Sequence, residues 1–152
     1  MSFNQEFIHF LISCPKRIKE APKKEMVCEK GHLRNNMKLI SDDGKFEFEV
    51  FIRVNQAFPE NFSIGLVYIP RDGTSRITLL RYNGPHGPQN SIDSHHASSH
   101  IHIATEENIS KGLRAEKSAI LNYGIRNLSG RDIFFCEKMW YHGSRQIFSL
   151  YK

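Results

Sequence analysis

Lys45-Phe46-Glu47-Phe48-Glu49-Val50-Phe51-Ile52-Arg53-Val54 alternates apolar and polar side chains with a period of two. Successive strand side chains leave opposite faces, so Phe46, Phe48, Val50, Ile52 and Val54 point one way and Glu47, Glu49 and Arg53 the other. A strand with one polar face belongs in an antiparallel sheet whose other face packs. Working outward, Ser41-Asp42-Asp43-Gly44 is a turn, and Met26 to Ile40, interrupted by Gly31 and Asn35-Asn36, reads as two strand segments. Downstream, Phe62 to Ile69 and Thr74 to Tyr82 are strand-like, joined by the turn Pro70-Arg71-Asp72-Gly73. His100 to Thr105 closes this meander as an edge or next strand.

Helical signals flank the strands. Ser2 and Gln5 have the form of a capping box before Phe3, Phe7, Phe10 and Leu11, which predicts a helix from Phe3 to about Ser13, stopped by Pro15. Lys16 to Lys24 reads as a basic connector. Thr105 can cap a helix opening with Glu106-Glu107, and a further helix is expected from Glu116 to Tyr123. Ser129 and Asp132 form another capping box, opening a helix through Tyr141, although Ile133-Phe134-Phe135 suits a buried strand equally well. Gln146 to Tyr151 is a candidate last strand. The expected fold is α+β: one domain over residues 1–152, an antiparallel sheet of about five strands, an N-terminal helix, and C-terminal helices packed on one face.

Composition narrows the class. With 39% hydrophobic and 24% charged residues, the chain has no apolar run near the roughly 20 residues of a membrane span. Phe7 to Ile12 is short, contains His9 and lacks a basic leader, so no signal peptide is expected. Cys14, Cys28 and Cys136 are odd in number and far apart, as suits reduced, buried thiols in a cytoplasmic protein. The net charge of +5 is uneven: residues 16–38 carry eight Lys/Arg against three Glu, residues 111–152 eight against three Asp/Glu, and residues 39–110 five against nine. Basic flanks attract RNA or DNA where they share a side with a site, with a merely solubilising surface as the alternative. Lys16, Arg17, Lys19 and Arg76 are the candidate nucleic-acid contacts.

Five of the eight histidines fall between His86 and His102. If the segments around Arg81 and His100 pair as a hairpin, His100 and His102 share one face, opposite Ile101 and Ile103. Three chemistries follow. Two histidines at i, i+2 can converge on a metal ion, with His86, His95 or His96 as further ligands, but no Cys or acidic cluster completes a zinc pattern, and no metal or cofactor is expected. Metal-independent RNA cleavage needs a base, an acid and a phosphate clamp, roles that His100, His102 and Arg81 suit, with Asn83 as orienter. In the third, Asn83-Gly84-Pro85-His86-Gly87 is only a turn and the two histidines are hydrogen-bonded sheet residues.

At Cys14-Pro15-Lys16-Arg17, Asn83-Gly84-Pro85-His86 and Ser99-His100-Ile101-His102 the chain resembles an uncharacterised prokaryotic family from mobile-element and defence neighbourhoods. That family has a Leu-Pro-Lys-Arg-like segment and later N-G-P-P-H and P-H-x-H elements. More remotely, Leu80-Arg81-Tyr82-Asn83 with the following His-His and H-x-H resembles TumE-type toxins. The second proline after Asn-Gly is missing, and Ser99 replaces the proline before H-x-H. The resemblance implies a bacterial cytoplasmic protein of undefined activity, with a nuclease toxin as one candidate role. The expectation is a nucleic-acid-directed protein of defence or toxin–antitoxin type, a histidine-dependent ribonuclease by one reading. The alternative is a non-catalytic mobile-element binding or inhibitor protein. Expected partners are RNA or DNA, or a cognate antitoxin or other protein, without a membrane.

Overall fold

Asn4 starts the first helix, α1 (Gln5–Ser13), because its side-chain oxygen accepts the Phe7 N–H at 2.8 Å. The cap is thus Asn4 rather than Ser2, and the helix begins two residues later than the sequence suggests. At the other end the Lys16 ammonium donates to the Ile12 and Cys14 carbonyls, both at 2.8 Å, and closes the helix just past Pro15. The structure, a computed structural model, describes residues 3–86 and 98–121.

Among the described residues eight antiparallel strands follow: β1 (Lys16–Glu20), β2 (Val27–Glu29), β3 (His32–Ser41), β4 (Glu47–Asn55), β5 (Phe62–Ile69), β6 (Ile77–Asn83), β7 (His100–Ile103) and β8 (Ala119–Leu121). Their order is β1-β3-β4-β5-β6-β7-β8, and β2 pairs with β3 on the same edge as β1. The predicted meander is present, with more than the expected five strands. Two additions come from segments read otherwise. The basic connector contains β1, whose residues are mostly exposed and show no apolar alternation. Glu116 to Tyr123 is not a helix where it is described: a turn leads into β8, which pairs with β7 and removes it from the edge. The only described helix after Thr105 is α2 (Glu106–Ser110), capped as expected by the Thr105 hydroxyl, which accepts the Asn108 N–H at 3.2 Å. The expected helix from Ser129 and strand from Gln146 lie outside the described residues.

The alternation of Lys45 to Val54 survives in three dimensions. Phe48, Val50, Ile52 and Val54 are buried and face Leu39, Met37, Asn35 and Leu33 on β3 and Tyr68, Leu66, Ile64 and Phe62 on β5. α1 covers this apolar face with Ile8, Leu11 and Ile12, and Phe3, Phe7, Phe10, Phe46 and Tyr68 form an aromatic cluster at its margin. Burying these side chains supplies the main driving force for folding, at about 1.5–3 kcal/mol for each large one. The opposite face carries mainly polar residues, with Phe51 and Val67 among them.

Candidate functional site

Because cross-strand partners share a face, the register writes the polar face row by row. One row runs Arg34, Arg53, Ser63, Asn83, His100 across β3 to β7. The next runs Asn36, Phe51, Gly65, Arg81, His102. The sheet therefore brings Arg81, Asn83, His100 and His102 together, with Arg81 opposite His102 and Asn83 opposite His100. Arg34 and Arg53, which sequence reading passed over as site residues, stand on the same face. From Arg34 to His100 spans four strand spacings, about 19 Å.

The histidine end is closed. His100 has no exposed surface and His102 only 4%. Since a carbonyl can only accept, His100 Nδ1–H donates to Ser98 O at 2.8 Å, and its Nε2 is 3.3 Å from the Asn83 amide nitrogen. Asn83 Oδ1 accepts the Ser63 hydroxyl at 2.7 Å, so a hydrogen-bond chain runs Ser63 to Asn83 to His100 to Ser98. His102 Nδ1–H donates to Glu116 O at 3.0 Å. Each ring thereby carries a proton on Nδ1. The His100 ring lies 5.0 Å from those of His86 and His102, yet among the described residues no three His, Cys, Asp or Glu side chains come together to hold a metal ion. His95 and His96 lie outside the described residues.

Beside His102, the nearly buried Glu116 carboxylate sits between Arg114 Nε at 3.1 Å and Arg81 Nη2 at 3.8 Å, the latter too long for a hydrogen bond. Burial, and then the nearby Arg114 charge, lower the Arg81 pKa, while Glu116 opposes them. The guanidinium remains cationic. Two guanidiniums thus share one carboxylate, and the buried Arg81 Nε–H has no hydrogen-bond partner among the described residues.

The arginine end is open. Arg53 lies over the Phe51 ring, 5.0 Å from its centroid, and that ring occupies the space where any side chain at Gly65 would stand, with an added Cβ only 2.4 Å from it. Arg34 pairs with Glu29 at 3.2 Å, both groups exposed, whereas Arg53 makes no salt bridge among the described residues. Two clefts meet at this pair. The larger, about 320 Å³, includes Glu29 and Glu49 in its lining; the smaller, about 220 Å³, is lined without a carboxylate by His32, Arg34, Arg53, Asn55, Asn61, Phe62 and Ser63.

The basic residues singled out from the sequence are scattered. Lys16 is turned inward, capping α1 with its ammonium 4.7 Å from the Phe48 ring centroid, and burial lowers its pKa. Lys19 pairs with Glu47 at 3.2 Å and Arg76 with Glu49 at 3.4 Å, while Arg17 is exposed on β1. β1 lies five strand spacings from β7, about 24 Å, so Lys16, Arg17 and Lys19 form no common site with the histidines. Arg53 is legible as a polar member of an alternating strand and Arg34 only as part of an interrupted one, and their juxtaposition depends on a register that sequence alone leaves open. The chain matches no protein-family model, and no curated protein or solved structure resembles it significantly. No described helix is long and apolar enough to cross a membrane.

Proposed function

We propose that the protein is a nucleic-acid-directed binding protein that holds single-stranded RNA along the polar face of its sheet. The observation that carries this reading is the register: Arg34, Arg53 and Arg81 share one face with Asn36, Ser63 and Asn83. Guanidiniums pair with phosphate oxygens in a planar fork, and several of them on one face suit a polyanion better than a compact neutral ligand. The bacterial defence or toxin–antitoxin setting rests on the sequence resemblance alone. Burial favours binding over cleavage, since a base and an acid must reach the 2′-hydroxyl and the leaving oxygen, and His100 has no exposed surface.

A second reading, histidine-dependent RNA cleavage, is favoured by one feature, the Arg81 Nε–H beside His102 that has no hydrogen-bond partner among the described residues. In it Arg81 clamps the phosphate, His102 moves a proton, and His100 and Asn83 are positioning residues. Labelled single-stranded RNA incubated with the protein in EDTA separates the two. Salt-sensitive binding with intact RNA supports the binder. Cleavage that disappears in His102→Ala, with the variant still folded, replaces it with the ribonuclease. Failure to bind RNA or DNA at low salt overturns both and leaves a protein-directed inhibitor.

A further inference from the structure

Arg34 and Arg53 are direct cross-strand partners, and like charges so placed repel. Glu29 relieves Arg34 through an exposed pair of the kind that contributes little and is readily exchanged, while Arg53 is held over Phe51 without a carboxylate among the described residues. Between them opens the 220 Å³ cleft, whose other walls offer His32, Asn55, Asn61 and the Phe62 ring. Asn55 Oδ1 already accepts the Ala57 and Phe58 N–H groups, so what it can offer a ligand is its NH₂. His32 Nδ1–H donates to Lys30 O at 3.2 Å, leaving Nε2 as the ring atom available to a ligand. The walls are braced beforehand by Asn55 N–H to Asn61 O at 2.9 Å and Asn61 N–H to Phe58 O at 2.9 Å, which reduces the ordering cost of binding.

We infer that this cleft is a phosphate subsite, in which one phosphoryl group is clasped between the Arg34 and Arg53 guanidiniums, with the Asn55 amide and His32 as secondary contacts. Its volume is below the roughly 300–1,000 Å³ of clefts that bury a whole small ligand, so it suits the phosphoryl group and the edge of its sugar rather than an entire nucleotide. The phosphate can be a monoester of a free nucleotide or a diester of an RNA strand, since the recognising chemistry is the same. Only the identity of that bearer rests on the RNA-binding reading above. The Ser63 hydroxyl at the cleft's edge is committed to Asn83, which joins the cleft to the histidine end through the hydrogen-bond chain.

Titration of the full chain with adenosine monophosphate, with adenosine, and with a short single-stranded RNA lacking terminal phosphates tests this, followed by the arginine side-chain N–H resonances. The monophosphate should shift the Arg34 and Arg53 signals while adenosine does not, and Arg53→Gln or Arg34→Gln should weaken binding at least about tenfold. Arg53→Lys, which keeps the charge but loses the fork, should fall between. Binding to the RNA but not the monophosphate assigns the subsite to a diester, and the reverse assigns it to a monoester and removes support from the RNA reading. Equal binding of adenosine and its monophosphate, or unchanged affinity in folded Arg53→Gln, overturns the subsite. If RNA then still binds Arg53→Gln as tightly as the wild type, the RNA reading stands without it.

Discussion

His100 and Arg53 occupy the same row of the same sheet, two strands apart from each other's neighbours Asn83 and Ser63, and they have opposite fates. His100 is sealed, its ring nitrogens engaged by Ser98 and Asn83. Arg53 is exposed, positioned by an aromatic ring and open to a cleft. Residue type alone would rank the histidine as the functional group and the arginine as a solvated charge. Burial reverses that order, because a side chain that has spent its hydrogen bonds inside the protein has little left to offer a ligand. On the proposed reading, the histidine end holds the row in place and the arginine end is the part that meets RNA.

Substitutions sharpen or break this division. The largest effect is expected at Gly84, which follows Asn83 and donates its N–H to Phe62 O at 2.9 Å. An added Cβ would lie 1.9 Å from the Glu60 carbonyl oxygen, a backbone atom with little freedom to move. Gly84→Ala should therefore cost about 3 kcal/mol or more in urea unfolding. A loss below about 1 kcal/mol would contradict this close approach.

His100→Ala comes next. It leaves a cavity and strips partners from the Asn83 amide and the Ser98 carbonyl, for a loss of about 2–4 kcal/mol, while the folded protein keeps its RNA affinity. Unchanged stability with lost RNA binding would invert the comparison and make the histidine end the contact surface.

Glu116→Gln removes the carboxylate between Arg81 and Arg114. Breaking a fully buried pair costs about 3–5 kcal/mol, but Arg114 is 60% exposed, so solvent screening reduces the expected loss to about 1–2 kcal/mol. Added salt should recover part of it by screening the two guanidiniums from each other.

The smallest effect is acid sensitivity. Hydrogen bonds from Ser41 to Asp43, Lys19 to Glu47 and the Thr74 backbone to Asp72 lower the pKa of these carboxylates. Their folded values lie below the unfolded ones, so the stability they contribute is complete above about 4.5 and is lost as the pH falls through the depressed folded values. Asp43 and Asp72 are exposed and Glu47 is partly so, and thermal unfolding followed as the pH is lowered should therefore show a shallow decline there rather than a collapse. A melting temperature that rises on acidification would contradict the sign.

Much of the sheet is legible in the sequence because its central strands alternate cleanly. Lys45 to Val54 and Phe62 to Ile69 specify both period and buried face, and His100 and His102 are correctly assigned to a common side. β1 is hidden because an edge strand exposed over most of its length carries no apolar signal, and Lys16 to Glu20 looks like any basic connector. β8 is hidden because three residues, Ala119 to Leu121, cannot establish a period. Pairing explains the remainder. The distance from Asn83 to His100 in sequence leaves that hairpin's register free, so the Arg81–His102 alignment does not follow from composition or spacing, and the meeting of Arg34 with Arg53 depends separately on the register of β3 against β4. The enclosure of His102 is equally invisible there, since it involves Glu116, in the turn before β8, returning to bond its ring.

The division between a structural histidine end and a binding arginine end is tested most directly by the salt dependence of affinity for a short single-stranded RNA, comparing the wild type with the Arg34→Gln/Arg53→Gln double variant. Each phosphate neutralised contributes about 0.7 to the slope of log affinity against log salt for single strands. If the two arginines clasp one phosphate, the variant should bind more weakly with a slope shallower by about 0.7. An unchanged slope and affinity in a folded double variant would contradict the account.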